Sequence, residues 1–266
     1  MLPRVLIVAG SDSGGGAGLQ ADIKTVTMLG GYAATAVTAL TAQNTLGVFD
    51  TMAVPPELVA EQMRLVLTDI GADCVKTGML HSAEVIHAVA AVLESLAAGI
   101  PLVVDPVMVA KGGAPLLAHD ARAALTELLV RRASIVTPNA PEAEALTRVP
   151  VRSVDDLARA ADRLLALGSG AVLVKGGHLP GETVVDLLRT ADGAERRFES
   201  PRIATTSTHG TGCTLASAIA TGVAEGLRLE DAVERAHAYV HAAILSAPGF
   251  GSGHGPLDHT HPLRRV

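Results

Sequence analysis

Short apolar runs alternate with amphipathic stretches along almost the whole chain. The apolar runs predict strands at Arg4–Ala9, Ala34–Ala42, Asp73–Thr77, Leu102–Asp105, Ser134–Thr137 and Ala171–Lys175. Between them apolar residues recur with helical spacing, as at Val59, Met63 and Val66, which turns one apolar face of each helix toward a sheet. Strands that alternate with helices predict a parallel sheet joined by crossover helices.

The pattern changes after residue 175. Thr183–Thr190 and Ala194–Ser200 are two strand-like runs separated by an Asp-Gly pair, which predicts a hairpin of antiparallel strands at one edge of the sheet. Helical spacing returns at Thr211–Glu225 and Leu229–Ser246, and no Pro/Ser-rich linker divides the sequence. We therefore predict that residues 1–266 form a single α/β domain with a mostly parallel, mixed sheet.

Composition supports this fold and narrows the class of partner. Hydrophobic residues make up 48% of the sequence and aromatic residues 2%, which suits an aliphatic core of helices on a buried parallel sheet. A net charge of -6, with no block of like charges, argues against nucleic acid and an anionic membrane surface as partners. The segment Leu2–Ala9 is too short and too soon interrupted to be a signal or a membrane span. We expect a small-molecule partner.

The two cysteines indicate the compartment. Cys74 and Cys213 lie far apart and outside any C-x-x-C pair, which argues against a disulfide scaffold or a structural zinc site. We therefore expect a reducing, cytoplasmic location. Cys74 precedes Val75 in a strand-like run and is predicted to be a core residue.

The most informative segment is the glycine turn, Thr208-His209-Gly210-Thr211-Gly212-Cys213, which leads directly into an apolar helix. Exposed backbone N–H groups and the positive end of the helix dipole favour an anion there, such as a phosphoryl group. The turn is not a Walker loop, since no G-x-x-x-x-G-K-[ST] occurs. Taken alone, the string is also typical of a structural turn that caps a helix.

Cys213 lies in the first turn of that helix. The helix dipole is expected to lower the pKa of its thiol and to make it a usable base for an attacking hydroxyl group. Plain packing in an apolar helix is the alternative, and its position within the glycine turn favours the functional interpretation.

Other candidate site residues follow predicted strands. A glycine-rich loop, Gly10–Gly18, follows the first strand, and Asp105, Asn139 and Glu142 follow two later ones. Ligands of open α/β sheets bind at the carboxyl ends of the strands, so these side chains are expected at one edge. Carboxylate oxygens of this kind suit Mg²⁺ bridged to phosphates, although a single loop carboxylate is usually just solvated.

Gln43 and the histidines His237 and His241 are further polar candidates. The Gln43 amide offers one acceptor and two donors, which could pair with a ring nitrogen and an exocyclic amino group of an aminopyrimidine. A structural glutamine at a strand end is an equally ordinary interpretation. His237 and His241 lie four residues apart on a helix, but with no adjacent acidic base they are predicted to be surface histidines.

Seven motifs occur in the order found in one family: Gly10-Ser11-Asp12, Ala42-Gln43-Asn44-Thr45, Lys76-Thr77-Gly78-Met79-Leu80, Asp105-Pro106-Val107-Met108, Thr137-Pro138-Asn139 with Glu142, Val174-Lys175-Gly176-Gly177-His178 and Thr208–Cys213. From Val5 to His259 the chain resembles the hydroxymethylpyrimidine/phosphomethylpyrimidine kinases of thiamine biosynthesis, within the ribokinase-like superfamily.

The resemblance implies a ribokinase-like, three-layer α/β/α fold and a homodimer. It implies that the enzyme uses ATP and Mg²⁺ to phosphorylate 4-amino-5-hydroxymethyl-2-methylpyrimidine to its monophosphate and then to the diphosphate. A pyridoxal kinase of the same superfamily is the alternative. A non-catalytic pyrimidine-binding sensor would be expected to lose the glycine turn or Glu142, and both are present.

The resemblance also implies roles for individual residues. The pyrimidine would be surrounded by Gly10, Asp22, Gln43, Met79 and Val107. The ATP phosphates would be met by Asn139, Lys175, Thr208, Gly210, Thr211 and Gly212, and the metal by Asp105 and Glu142. Lys175, Gly210 and Gly212 would also take part in catalysis. Cys213 would stand at the position of the catalytic base, where the superfamily usually has Asp.

Overall fold

A computed structural model describes residues 2–109, 113, 116–118 and 120–264. Within these residues, one sheet contains the strands β1 (Arg4–Asp12), β2 (Tyr32–Asn44), β3 (Gly47–Ala53), β4 (Cys74–Thr77), β5 (Leu102–Val104), β6 (Ile135–Val136), β7 (Ala171–Val174), β8 (Thr183–Thr190) and β9 (Glu195–Pro201). The strand order is β3-β2-β1-β4-β5-β6-β7-β8-β9.

The described helices are α1 (Gly18–Met28), α2 (Pro56–Asp69), α3 (Ala83–Leu96), α4 (Ala121–Ala124), α5 (Ala140–Thr147), α6 (Val154–Leu165), α7 (Thr211–Ala224) and α8 (Leu229–Leu245). A π turn and a 3-10 turn continue α4 to Arg132. A capping box between Ser153 and Asp156 opens α6. Among the described helices, none combines the length and the apolar character needed to cross a bilayer.

The sheet is mixed, and its antiparallel strands lie at both edges. Strands β2, β1, β4, β5, β6 and β7 are parallel. The predicted hairpin, β8 with β9, is confirmed at one edge. The opposite edge is β3, antiparallel to β2, and the sequence did not predict it. All seven residues of β3 are half-buried or exposed. Neither face of the strand is buried in a core, and the segment shows no alternation of apolar and polar residues.

Alternation along β1 explains the three layers. Val5 and Ile7 face a core formed with α1, α7 and α8. Leu6 and Val8 face the opposite core, formed with α2, α3, α5 and α6. Because successive side chains of a strand point to opposite faces, one strand serves both cores. The predicted α/β/α layering is confirmed. Cys74 is a core residue, as predicted, with no exposed surface.

Candidate active site

A cavity of about 830 Å³ lies at the carboxyl ends of the parallel strands. It is lined by most of the residues singled out from the sequence: Gly10, Gln43, Met79, Asp105, Val107, Asn139, Glu142, Lys175, Thr208, Gly210, Thr211, Gly212 and Cys213. The shared location follows from the topology, since parallel strands end at the same edge of a sheet.

The glycine turn closes tightly onto the loop that follows β1. Gly210 precedes α7 with a φ of 83°, a left-handed conformation that glycine adopts without steric cost. A Cβ atom on Gly210 would lie 1.9 Å from the backbone oxygen of Gly16, so no other residue fits. In the described residues, no side chain caps the start of α7. The first amides of α7 are therefore available to an anion in the cavity.

A buried charge pair lies directly under this helix start. Nζ of Lys175 is 3.1 Å from Oδ1 of Asp105, and the Thr137 hydroxyl group donates to the same oxygen at 3.2 Å. A Cβ atom on Gly212 would lie 3.1 Å from Nζ of Lys175. A side chain at position 212 would crowd the ammonium group, so the glycine allows Lys175 to lie against the start of the helix.

The electrostatics keep Lys175 charged. Burial alone would lower the pKa of Lys175, but the carboxylates of Asp105 and Glu142 outweigh it and raise the pKa above its ordinary value. An ammonium group held under helix amides is suited to bind phosphate oxygens.

Glu142 and Asn139 form a capping box at the start of α5. The Asn139 side chain accepts from the amide of Glu142 at 2.9 Å, and the Glu142 carboxylate accepts from the amide of Asn139 at 2.8 Å. The spacing Asn-x-x-Glu is a signal for this cap, which the sequence analysis missed. Burial, with a contribution from Asp105, raises the pKa of Glu142 to about 7 against the opposing charge of Lys175.

Asp105 and Glu142 are the two carboxylates predicted to hold a metal ion. In the described part of the chain, no group of three or more His, Cys, Asp and Glu side chains could hold a metal ion. Mg²⁺ at phosphate sites usually takes one or two carboxylates and completes its shell with phosphate oxygens and water. Asp105 and Glu142 both line the cavity and fit that arrangement.

Cys213 lies in the first turn of α7 and is partly buried. Burial raises the pKa of its thiol to about 12, although the nearby ammonium group of Lys76 opposes the shift. The prediction of a lowered pKa is therefore wrong, because burial disfavours the charged thiolate. At neutral pH the thiol carries its proton in the protein without ligands.

Asp22 is set back from the cavity, and its position corrects the prediction that it contacts the pyrimidine. Its carboxylate has no exposed surface and accepts from Nζ of Lys76 at 2.7 and 2.8 Å. The Ser217 hydroxyl group donates to it at 2.7 Å. Its partners show that Asp22 joins α1, β4 and α7 beneath the site.

Gly10, Met79, Val107 and Gln43 also line the cavity. A Cβ atom on Gly10 would lie 2.9 Å from the sulfur of Met79. The glycine therefore allows the Met79 side chain to reach the cavity wall, where its thioether offers a soft apolar surface. An apolar wall with one amide, that of Gln43, suits a small heterocycle.

Sequence reasoning missed Asp12 and His209 as site residues, although both belong to the quoted motifs. Oδ2 of Asp12 lies 2.8 Å from Nε2 of His209, and both residues line the cavity. The Asp12 carboxylate also accepts from the amides of Gly14, Gly16 and Ala17 at 2.7 to 3.0 Å. The Asp12 side chain therefore organises the glycine-rich loop that follows β1.

The prediction that His237 and His241 are surface histidines is wrong. Both are half-buried and line the cavity. Burial lowers the pKa of His237, against the charge of Asp186. The acidic neighbour comes from β8, more than fifty residues away in the sequence, and local spacing could not reveal it.

Sequence comparisons connect the chain to known proteins. A family model described as phosphomethylpyrimidine kinase matches residues 12–258. The thiamine biosynthesis bifunctional protein ThiED of Geobacter sulfurreducens is 55% identical over 256 residues, which are 96% of this chain but 52% of that protein. The chain thus spans about half the length of that relative. A hydroxymethylpyrimidine/phosphomethylpyrimidine kinase of Haemophilus influenzae is 46% identical over 261 residues, 96% of each chain.

Solved structures share the fold. A phosphomethylpyrimidine kinase of Clostridium difficile superposes with a TM-score of 0.80 at 39% identity, over 92% of this chain and all of that chain. The pyridoxal kinase of Staphylococcus aureus, in complex with AMP-PCP and pyridoxal, superposes with a TM-score of 0.90 at 32% identity, over all of this chain and 96% of that chain.

Proposed function

Because the chain belongs to the phosphomethylpyrimidine kinase family, we propose that it transfers the γ-phosphoryl group of ATP to the hydroxymethyl group of 4-amino-5-hydroxymethyl-2-methylpyrimidine, and then phosphorylates the monophosphate to the diphosphate. One observation carries the proposal. The uncapped start of α7 and the Lys175 ammonium group face the same cavity as the amide of Gln43, so an anion site and a heterocycle site share one space.

Different residues of the cavity would bind the phosphates and the pyrimidine. The amides of Gly210 to Gly212 and the Lys175 ammonium group would bind the phosphates, with Asn139, Thr208 and Thr211 beside them. A loose transition state for phosphoryl transfer needs positioning and neutralisation of charge more than covalent chemistry. Gly10, Gln43, Met79 and Val107 would hold the pyrimidine with its hydroxymethyl group toward Cys213.

The site implies a metal ion. When bound, Mg²⁺ would neutralise charge on the transferred phosphate, and Asp105 and Glu142 are the residues that would hold it, directly or through water. The structures of related kinases with ADP and AMP-PCP support ATP as the phosphate donor. We expect the protein to work in the cytoplasm, where ATP is supplied.

Pyridoxal kinase activity is the second candidate, because the S. aureus pyridoxal kinase superposes over the whole chain. Identification of the products by mass spectrometry, after incubation with MgATP and a panel of hydroxymethyl heterocycles that includes pyridoxal, tests both. The highest kcat/KM is expected with the hydroxymethylpyrimidine, with mono- and diphosphate products. Preferential phosphorylation of pyridoxal would overturn the proposal.

We further propose a homodimer that uses the β2–β3 edge. Leu40, Leu46, Phe49 and Met52 are exposed there, and a cluster of exposed apolar side chains is typical of a protein interface. Sedimentation velocity is expected to give twice the mass of the chain, and Phe49→Glu is expected to shift the protein toward monomer. A wild-type monomer at micromolar concentration would exclude this surface.

Replacing Gln43 with alanine is expected to weaken use of the pyrimidine far more than use of ATP. The substrate would lose its hydrogen bonds to the amide in a dry pocket, which costs about 1–3 kcal/mol. The KM for the pyrimidine should rise by about 5- to 150-fold, while the KM for ATP stays near the wild-type value. Equal increases in both constants would remove Gln43 from the pyrimidine site.

Glu142→Gln tests the metal role without breaking the cap, because a glutamine oxygen can accept the same amide. Activity is expected to fall, and the Mg²⁺ concentration needed for half-maximal rate is expected to rise. An unchanged Mg²⁺ titration would exclude Glu142 from metal binding.

The same variant has an expected effect on stability. The pKa of Glu142 is about 7 in the folded protein, and its ordinary value is 4.5. The wild type therefore loses stability as the pH rises between these two values. The variant, which cannot ionise, should gain on the order of 1–3 kcal/mol over wild type between pH 5 and pH 8. Urea unfolding at both pH values measures this difference.

A further inference from the structure

A short segment that follows α8 lies against the glycine turn at two points. The amide of His209, in the glycine turn, donates to the backbone oxygen of Gly255 at 3.0 Å. In the first turn of α7, the hydroxyl oxygen of Thr214 is 3.0 Å from Nε2 of His259. Residues 255–259, which we call the clamp segment, therefore contact the chain on both sides of the helix start.

The two contacts enclose backbone amides that are free to bind an anion. Among the described residues, no backbone oxygen accepts from the amides of Gly212 and Cys213. The amide of Thr214 donates to the backbone oxygen of Gly210 at 2.9 Å and so closes the first turn of the helix. Thr214 thus fixes the end of this turn through its backbone and contacts the clamp segment through its side chain.

The clamp segment is itself anchored to α8. The Tyr239 hydroxyl group donates to the backbone oxygen of His259 at 2.8 Å, and the amide of Asp258 donates to the backbone oxygen of Ala243 at 3.0 Å. The side chains of Thr214, His259 and Tyr239 are all buried. Because a buried polar group without a partner costs about 1–3 kcal/mol, the fold strongly favours the contact of Thr214 with His259.

The His259 ring accepts in this contact. Burial, with the charge of Lys24, lowers the pKa of His259 to about 4, against the opposing effects of Asp258 and Leu257, so the ring is neutral at pH 7. A neutral imidazole has one N–H group and one lone pair. The backbone oxygen of Leu257 accepts from the ring, which places the N–H group on Nδ1. Nε2 then carries the lone pair and accepts from the Thr214 hydroxyl group.

We propose that the clamp segment sets the start of α7 for phosphate binding, and that His259 is a positioning residue that acts through Thr214 on the free amides of the turn. This inference rests on the proposed function, in which these amides bind the phosphates of ATP. Thr214 and His259 are not among the described residues that line the cavity, so they act on a ligand through the helix. A displaced amide binds a phosphate oxygen less well, since hydrogen bonds weaken with distance and angle.

Variants that remove either partner test the clamp segment by calorimetry with Mg²⁺ and AMP-PCP. In His259→Ala, and in Thr214→Val, which keeps the side-chain volume, the dissociation constant for AMP-PCP is expected to rise about 5- to 30-fold. The dissociation constant for the pyrimidine should stay within about threefold of wild type. The double variant should bind AMP-PCP within about twofold of the weaker single variant, because both changes remove one contact. His259→Gln, which restores an acceptor, should recover most of the binding.

Thr221→Val is the matched control within the same helix. Thr221 is also buried, and its hydroxyl group donates to the backbone oxygen of Ser217 at 2.8 Å, two turns beyond Thr214. This variant should lower the midpoint of urea unfolding and leave the dissociation constant for AMP-PCP within about threefold of wild type. If Thr214→Val and His259→Ala also lower only the urea midpoint, the contact is merely structural and the proposal is wrong.

A measurement without ligands tests the direction of the hydrogen bond. Long-range ¹H–¹⁵N spectra of the ¹⁵N-histidine-labelled protein at pH 7, with His259 assigned by its loss in His259→Gln, should show the proton on Nδ1. A proton on Nε2 would overturn the acceptor role of His259.

The same measurements keep this inference distinct from the kinase assignment. If the wild type and the variants bind AMP-PCP with the expected contrast but the wild type does not phosphorylate the pyrimidine, the inference is supported and the proposed substrate is rejected. A wild type that binds no nucleotide would reject both.

Discussion

Cys213→Ala is expected to lower kcat by about 10²–10⁴-fold, the usual contribution of a general base, while ATP binding survives. The backbone amides of Gly210 to Gly212 bind phosphate without the thiol, so the dissociation constant for ATP should stay within about threefold of wild type. Single-turnover rates and ATP titration by fluorescence or calorimetry separate the two quantities. Turnover close to wild type would leave Cys213 as a packing residue and assign catalysis to positioning and Lys175.

The raised pKa of Cys213 makes this role testable by pH. A thiol with a pKa of about 12 is mostly protonated at neutral pH, and its thiolate fraction rises tenfold for each pH unit below the pKa. The logarithm of kcat should therefore keep rising above pH 8 with a slope near one. Glu142, with a pKa of about 7, cannot produce a rise in that range. A plateau from pH 8 upward would exclude the thiolate as the base.

Cys213→Asp is the sharper variant, because it supplies the base that the superfamily usually has at this position. It should retain part of the activity that Cys213→Ala loses, and its rate should not depend on pH above neutrality, since a carboxylate is already ionised there. The added charge near the transferred phosphate is expected to keep the rate below wild type. Equal inactivity of both variants would contradict base catalysis at this position.

Lys76→Met is expected to lower the free energy of unfolding by about 3–5 kcal/mol, the usual cost of removing one partner of a buried ion pair. Lys76 and Asp22 have no exposed side-chain surface. Burial disfavours the Lys76 ammonium group, but the Asp22 carboxylate outweighs that effect and raises the pKa of Lys76. Methionine fills a similar volume and leaves Asp22 with an uncompensated charge.

Two comparisons interpret this result. The double variant Lys76→Met, Asp22→Leu is expected to recover most of the loss, because a buried pair replaced by apolar side chains is often neutral. The exposed pair of Glu61 and Arg64 is the control, and Arg64→Ala should cost less than about 0.5 kcal/mol. Urea unfolding measures all four proteins. If Lys76→Met lowers the free energy of unfolding by less than about 1 kcal/mol, the ion pair of Lys76 and Asp22 does not stabilise the fold as expected.

The layered fold and the location of the site could be predicted because their signals are local. The apolar periods of the parallel strands are visible within single segments, and the carboxyl ends of such strands must meet at one edge. Placement of Lys175, Asp105 and the glycine turn around one cavity follows from that rule. The edge strand β3 was not predicted, because its residues are half-buried or exposed and the segment shows no alternation of apolar and polar residues.

We could infer the α/β/α layers, the edge that carries the site and the glycine turn that opens α7 from the sequence alone, since each depends on neighbouring residues. Three features depend on the folded arrangement: Asp22 pairs with Lys76 below the cavity, Asp12 lies beside His209, and burial raises the pKa of Cys213. Hydrogen-bond partners far apart in the chain and the degree of desolvation arise from packing, and no local pattern encodes either.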